Sequence, residues 1–164
     1  MSHEARLNEL RLELPPGARS LGVYRPVVVV GPMAYVSGHG PLGVDGVATT
    51  GRVGDDLDKQ AGYDAARRTG TAMLATLRDH FGSLDAIRRL VKTTGFVNAT
   101  PEFKEHPAVI NGFSELMRDV FGQEAGIGAR SAMGVASTPA GWAVEIEAIF
   151  ELEDGAWPAG TAGR

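Results

Sequence analysis

The stretch from Trp142 to Leu152 alternates apolar residues with polar or small ones almost without a break, a pattern that fits a β-strand with one buried face. Trp142, Val144, Ile146, Ala148, Phe150 and Leu152 fall on one side, and Ala143, Glu145, Glu147, Ile149 and Glu151 on the other. The second side mixes carboxylates with Ile149, so it is neither a plain solvent face nor a plain core face. Just upstream, Ala129 to Ala136 reads as another strand with Arg130 at its start. The run Ser137-Thr138-Pro139-Ala140-Gly141 between the two predicts a hairpin. An arginine and a carboxylate on such strands can hold and hydrate a small carboxylate substrate.

The remaining strands and helices fit a single domain of 164 residues, 43% of them hydrophobic. The longest apolar run, Val27 to Val30, is far too short to cross a bilayer, and Met1 to Leu14 is charged and leucine-spaced rather than signal-like. These features predict a soluble cytoplasmic protein without a membrane partner. The chain has no cysteine, which excludes disulfides, a thiolate nucleophile and a thiolate metal site. A net charge of −4, with no basic stripe beyond the pairs Arg67-Arg68 and Arg88-Arg89, argues against a nucleic acid partner.

Leu7, Leu10 and Leu14 recur at helical spacing behind a Ser2 cap, and Pro15-Pro16-Gly17 stops them, which predicts a leader helix within residues 1–17. Leu21 to Val30 and Ala34 to Ser37, parted by Gly31-Pro32, read as antiparallel strands, and Val47 to Arg52 as a third. Asp55, Asp56 and Asp58 crowd the start of a helix from about Leu57 to Phe81, where carboxylates cap free amides, and Gly82 closes it. Gly62 and Gly70 leave that helix room for close contact. A short helical turn over Ser83 to Arg88 leads to a strand at Leu90 to Asn98 and a second long helix at about Pro107 to Phe121, ended by Gly122. Strand, helix and the strand at Arg130 imply a parallel crossover. The main domain thus covers residues 18–152, followed by a flexible Gly-, Ala- and Pro-rich tail over 153–164.

The expected fold class is α+β, with a mixed sheet of about six strands and two long helices on one face. Two helices leave the other face open, and the four valines Val27 to Val30 put apolar side chains on both. A partner subunit is the economical cover. The alternative is that the leader helix folds over that face.

Tyr24, Tyr35 to Gly38 (YVSG), Val91 to Val97 (VKTTGFV), Val109 to Gly112 (VING), Ala129 to Ser131 (ARS) and Val144 to Ile149 (VEIEAI) occur in an order and spacing that resemble the RidA family. These YjgF-like proteins are imine and enamine deaminases formerly named liver perchloric-acid-soluble endoribonucleases. The leader helix and the VING segment resemble a longer-chain subgroup. The resemblance implies a chorismate-mutase-like fold, a homotrimer with three sites between subunits, and insertion of the Leu90–Asn98 strand between the two C-terminal strands. It also implies that Arg130 grips the substrate carboxylate, that Glu145 positions the attacking water, and that Tyr24, Ser37, Gly38 and Asn111 line the cleft. The chain departs from the family pattern at Ala132, where many members have cysteine, and at His39, where many have glutamine.

The chemistry fits these residue types. A 2-imino or enamine acid needs one fixed cation, which the planar arginine fork supplies, and one group that handles water. A partly desolvated Glu145 would act as base toward water and return the proton to departing ammonia, a contribution of about 10²- to 10⁴-fold. No metal and no organic cofactor is expected. Taken singly, each residue has a plainer reading: Arg130 as an edge salt bridge, Glu145 as a surface glutamate, Tyr24 as turn packing, Ser37 as a strand-end hydroxyl, Asn111 as an exposed helix position, and His39 as an exposed loop histidine kept as a cleft candidate. Gly38 to Gly43 matches the dinucleotide fingerprint by letters, but Pro41 and the turn at Gly43–Gly46 deny it a helix start. The favoured function is hydrolytic deamination to a 2-oxo acid and ammonia. A non-catalytic ligand-sensing trimer is the alternative, and an endoribonuclease the weakest reading.

Overall fold

In a computed structural model, which describes residues 1–157, the chain runs through α1 (His3–Glu9), β1 (Val27–Val30), β2 (Met33–His39), α2 (Lys59–Phe81), β3 (Ile87–Asn98), α3 (His106–Ala125), β4 (Ala129–Val135) and β5 (Val144–Leu152). The strands form one mixed sheet in the order β1-β2-β5-β3-β4. The pairs β1–β2, β2–β5 and β5–β3 are antiparallel, and β3–β4 is parallel. The fold is therefore α+β with a mixed sheet.

The hairpin expected of the two C-terminal strands does not form. β3 lies between them, pairing Phe96 with Glu145 of β5 and with Met133 of β4. The cause is α3: a helix of that length returns the chain to the far side of β3, where only a parallel partner can add. The sheet has five strands rather than about six, because Val47 to Arg52 contributes only the isolated bridges Leu42–Ala48 and Thr50–Trp142. Gly46 precedes this segment at φ +76° and Gly51 interrupts it at φ +127°, and such turns leave too few extended residues for a ladder.

The long helices follow their sequence signals. Asp58 caps α2 by accepting from the Ala61 amide at 2.7 Å, and Gly82 ends it at φ +81°. In α3 the backbone leaves helical geometry at Gly122 (φ +87°), the expected stop, before one more turn to Ala125. Both helices pack on the face of the sheet that carries Val144, Ile146, Ala148, Phe150 and Leu152, all buried. Their backbones meet most closely where Gly112 of α3 sits on the Tyr63 carbonyl of α2, a site with no room for a Cβ. Gly62 and Gly70 receive Val109 and Leu116 in the same seam.

The leader helix is shorter than expected. It starts at Ser2, which caps the Ala5 amide, and ends at Glu9, because Arg11 turns the chain at φ +51°. Leu12 and Leu14 still pack against the core beyond that turn. The leader does not cover the open sheet face. Leu7 is buried, the His3 ring stands edge-on to Phe121 at 4.9 Å, and Arg6 Nε donates to the Asp119 carbonyl at 2.9 Å, all on the helical side. Val28, Val30 and Tyr35 on the other side remain 45–56% exposed. At the C-terminus, the Glu153 amide bonds the Ala86 carbonyl and Trp157 packs against the core, so the expected tail is anchored that far. The rest of that expectation lies outside the described residues.

Candidate functional site

Arg130 projects from β4 toward the helices. Its register partner is Thr93 of β3, two residues before Gly95, over which Ile110 of α3 packs, so Arg130 shares the helical face. There Nη1 donates to Asn111 Oδ1 at 2.8 Å and to Ser114 Oγ at 3.1 Å. Both acceptors are neutral, and Arg130 has no ion pair among the described residues. The guanidinium is thus oriented without being neutralised, the condition for capturing an anion with its remaining N–H groups. It lines a cleft of about 290 Å³ with Leu90, Thr93, Asn111, Ser114, Glu115, Arg118 and the loop Gly126–Gly128. Thr93 Oγ1 is buried beside it with no hydrogen-bond partner among the described residues.

Glu145 faces the other way. It pairs with Phe96, three residues beyond Thr93 and therefore on the opposite face of the sheet. Arg130 and Glu145 are also two strands apart and three residue steps offset, ~10 Å in each direction. One chain cannot bring both groups to the same small molecule. Glu145 lies instead beside Gly38, where an added Cβ would run into its carboxylate. Partial burial raises the Glu145 pKa above the usual glutamate value, and the neighbouring Glu147 charge adds to the rise.

A β-bulge brings Gly38 there. Between the pairs Val36–Ala148 and His39–Ile146, β2 spends three steps where β5 spends two. The extra residue leaves Ser37 and Gly38 toward the open face and turns His39 into the interior. Ser37 Oγ donates to the Arg25 carbonyl at 2.7 Å and the Ser37 amide to the Pro26 carbonyl at 2.9 Å, tying β2 to the loop that carries the half-exposed Tyr24. Tyr24, Ser37, Gly38 and Glu145 thus belong to one region, and Arg130 and Asn111 to another.

His39 is not the exposed loop histidine expected. It ends β2 at 3% exposure, with Nδ1 2.7 Å from the Ser37 carbonyl and Nε2 2.8 Å from Thr76 Oγ1. Desolvation lowers its pKa, opposed by the bond to Ser37. Buried and engaged at both nitrogens, it has no access to a cleft ligand. Ser114 and Thr93 were not singled out from sequence. Ser114 follows Asn111 by three residues, a spacing that places both on one helix face, and that was its only signal.

The fold is shared with known proteins. The family model described as "YjgF/chorismate_mutase-like, putative endoribonuclease" matches residues 4–141. Protein TCP17 of Trypanosoma cruzi is 39% identical over 150 residues, covering 92% of this chain and 94% of that one. A crystal structure of a protein of unknown function from Agrobacterium tumefaciens is 41% identical with a TM-score of 0.83, covering 92% and 94% of the two chains. That of an endoribonuclease, so described provisionally, from Shewanella oneidensis is 31% identical with a TM-score of 0.88, covering 93% and 100%. A chain that shares this fold and matches the family model over most of its length belongs to the YjgF/chorismate-mutase-like family.

Proposed function

We propose that the protein is a hydrolytic deaminase of reactive 2-imino and enamine acids, acting as a homotrimer whose sites form between chains. The observation that carries this reading is the Arg130 guanidinium, held by Asn111 and Ser114 with no carboxylate partner at the mouth of a small cleft. A substrate carboxylate fits the unused edge of the fork. The imine carbon next to it then faces a neighbouring chain, whose open sheet face presents Glu145 with its raised pKa. That carboxylate takes a proton from water as the oxygen attacks the imine carbon. The tetrahedral carbinolamine collapses when the nitrogen, protonated in turn, leaves as ammonia and the 2-oxo acid remains. The opposed directions of Arg130 and Glu145 in one chain support a shared site, as do the exposed Val28, Val30 and Tyr35 on the face that would meet the neighbour.

The test compares wild type with Arg130→Ala, using imino acids generated by an amino acid oxidase and trapped with semicarbazide. Loss of charge-assisted bonds should lower kcat/KM by about 100-fold or more. Equal rates in both proteins would remove the mechanism. Light scattering should give three times the mass of one chain.

A further inference from the structure

The loop Arg19–Arg25 carries Tyr24 and is exposed along most of its length, with Leu21 85% and Val23 fully exposed. Its two ends are nonetheless fixed, and to neighbouring atoms. At the first foot the Gly17 amide donates to Asp79 Oδ2 at 3.2 Å and the Ala18 amide to Thr76 Oγ1 at 2.9 Å. At the second, Ser37 bonds the carbonyls of Arg25 and Pro26. His39 spans the gap between them, with one ring nitrogen on Thr76 Oγ1 and the other on the Ser37 carbonyl. A carbonyl only accepts, so Nδ1 carries the proton in the neutral ring, and Nε2 accepts from the Thr76 hydroxyl at 2.8 Å in preference to the Ala72 carbonyl, which lies 3.2 Å from the same oxygen.

We infer that His39 is a positioning residue, a buried cross-brace that ties both feet of the Tyr24 loop to the Ser37–Gly38 bulge and so sets the part of the site beside Glu145. The inference deepens the deaminase reading and, for its effect on catalysis, rests on it. The imidazole suits the task because its two nitrogens point in divergent directions from a rigid ring. It therefore holds the strand carbonyl and the α2 hydroxyl at a fixed separation. A glutamine side chain also offers a donor and an acceptor, on a more flexible stem. Thr76 passes the restraint on, since the oxygen that donates to His39 also accepts from the Ala18 amide.

Hydrogen exchange of the full chain tests the brace without reference to turnover. In His39→Phe and in Thr76→Val, amides of residues 17–26 and 37–38 should exchange about three- to tenfold faster, with α3 unchanged. Thr76→Val also removes the acceptor of the Ala18 amide, so the double variant should be no faster than Thr76→Val at residues 17–26 and no faster than His39→Phe at residues 37–38. His39→Gln should restore wild-type exchange. If the imino-acid assay is active, KM should rise more than kcat falls in His39→Phe and recover in His39→Gln. Wild-type exchange at residues 17–26 in His39→Phe, or at residues 37–38 in Thr76→Val, would overturn the brace. Should His39→Phe fail to fold, Thr76→Val and His39→Gln decide the matter. Brace-like exchange in a protein that hydrolyses no imino acid would sink the deaminase reading and leave the brace standing.

Discussion

The Glu145 carboxylate lies where a side chain on Gly38 would begin. A Cβ built there would overlap Oε1 and stand about 3.0 Å from Cδ. The obstructed group is the end of a flexible side chain rather than backbone, so Gly38→Ala should fold and assemble while displacing the carboxylate. We expect kcat to fall by about 10²- to 10⁴-fold, the size of a lost general base. Binding of the 2-oxo acid product should change little, since in the proposed site its carboxylate is held by the arginine of the neighbouring chain and not by Glu145. Calorimetric titration with the product would check it, and a parallel loss of product binding would count against separate roles.

Burial and then the Glu147 charge raise the Glu145 pKa. In the proposed role of base Glu145 works ionised, so kcat/KM should fall as pH drops through a value above 4.5. Glu147→Gln should move that limb to lower pH. The stability effect runs the same way in proton binding. A carboxyl with a raised folded pKa contributes fully below its unfolded value and loses that contribution as pH rises through the folded one. Glu145→Gln should therefore raise Tm at pH 7 and leave it unchanged below pH 4. A pH–rate profile and a series of melting curves separate the two effects.

Local pattern reached far into this fold where local physics sets the outcome. Period-two alternation assigned the two faces of β5, because a one-residue slip would have buried Glu145 and Glu147. Asp58 and Gly82 marked α2, because a cap and a left-handed glycine act within one turn. Strand pairing was not legible in the same way. β4 and β5 are neighbours in sequence, and only the crossover through α3 puts β3 between them. The resemblance, rather than periodicity, supplied that order. His39 was misread because the strand was ended at Ser37 and the histidine taken for a loop residue; β2 runs on to His39, and one extra residue at Ser37–Gly38 turns its side chain inward. Asn111 was reached through the resemblance, whereas Ser114 carries no mark in sequence of the bond it makes to Arg130.

The His39 environment has a pH signature of its own. Desolvation lowers its pKa from 6.5, against the opposing bond to Ser37. A histidine with a lowered folded pKa binds fewer protons folded than unfolded. Its contribution is complete above pH 6.5 and is lost as pH falls toward the folded value. Melting temperatures measured downward from pH 7.5 should decline below about pH 6.5 in the wild type, and decline less in His39→Gln. Identical slopes would assign the acid sensitivity to other groups.

Arg130 and Glu145 face opposite ways within a chain, which makes a shared site testable by mixing. Arg130→Ala and Glu145→Ala should each be inactive alone. If both are unfolded and refolded together at equal amounts, the subunits of the proposed trimer assort at random. Each site then takes its arginine from one chain and its carboxylate from the next. A working site needs the arginine of a Glu145→Ala chain beside the carboxylate of an Arg130→Ala chain, which random assortment supplies in about one quarter of sites. The mixture should thus recover about a quarter of the wild-type rate. Variants refolded separately and then combined should stay inactive until their subunits exchange. A mixture that remains inactive after verified co-assembly would place both groups in the service of different ligands, and the intersubunit mechanism would fall with it.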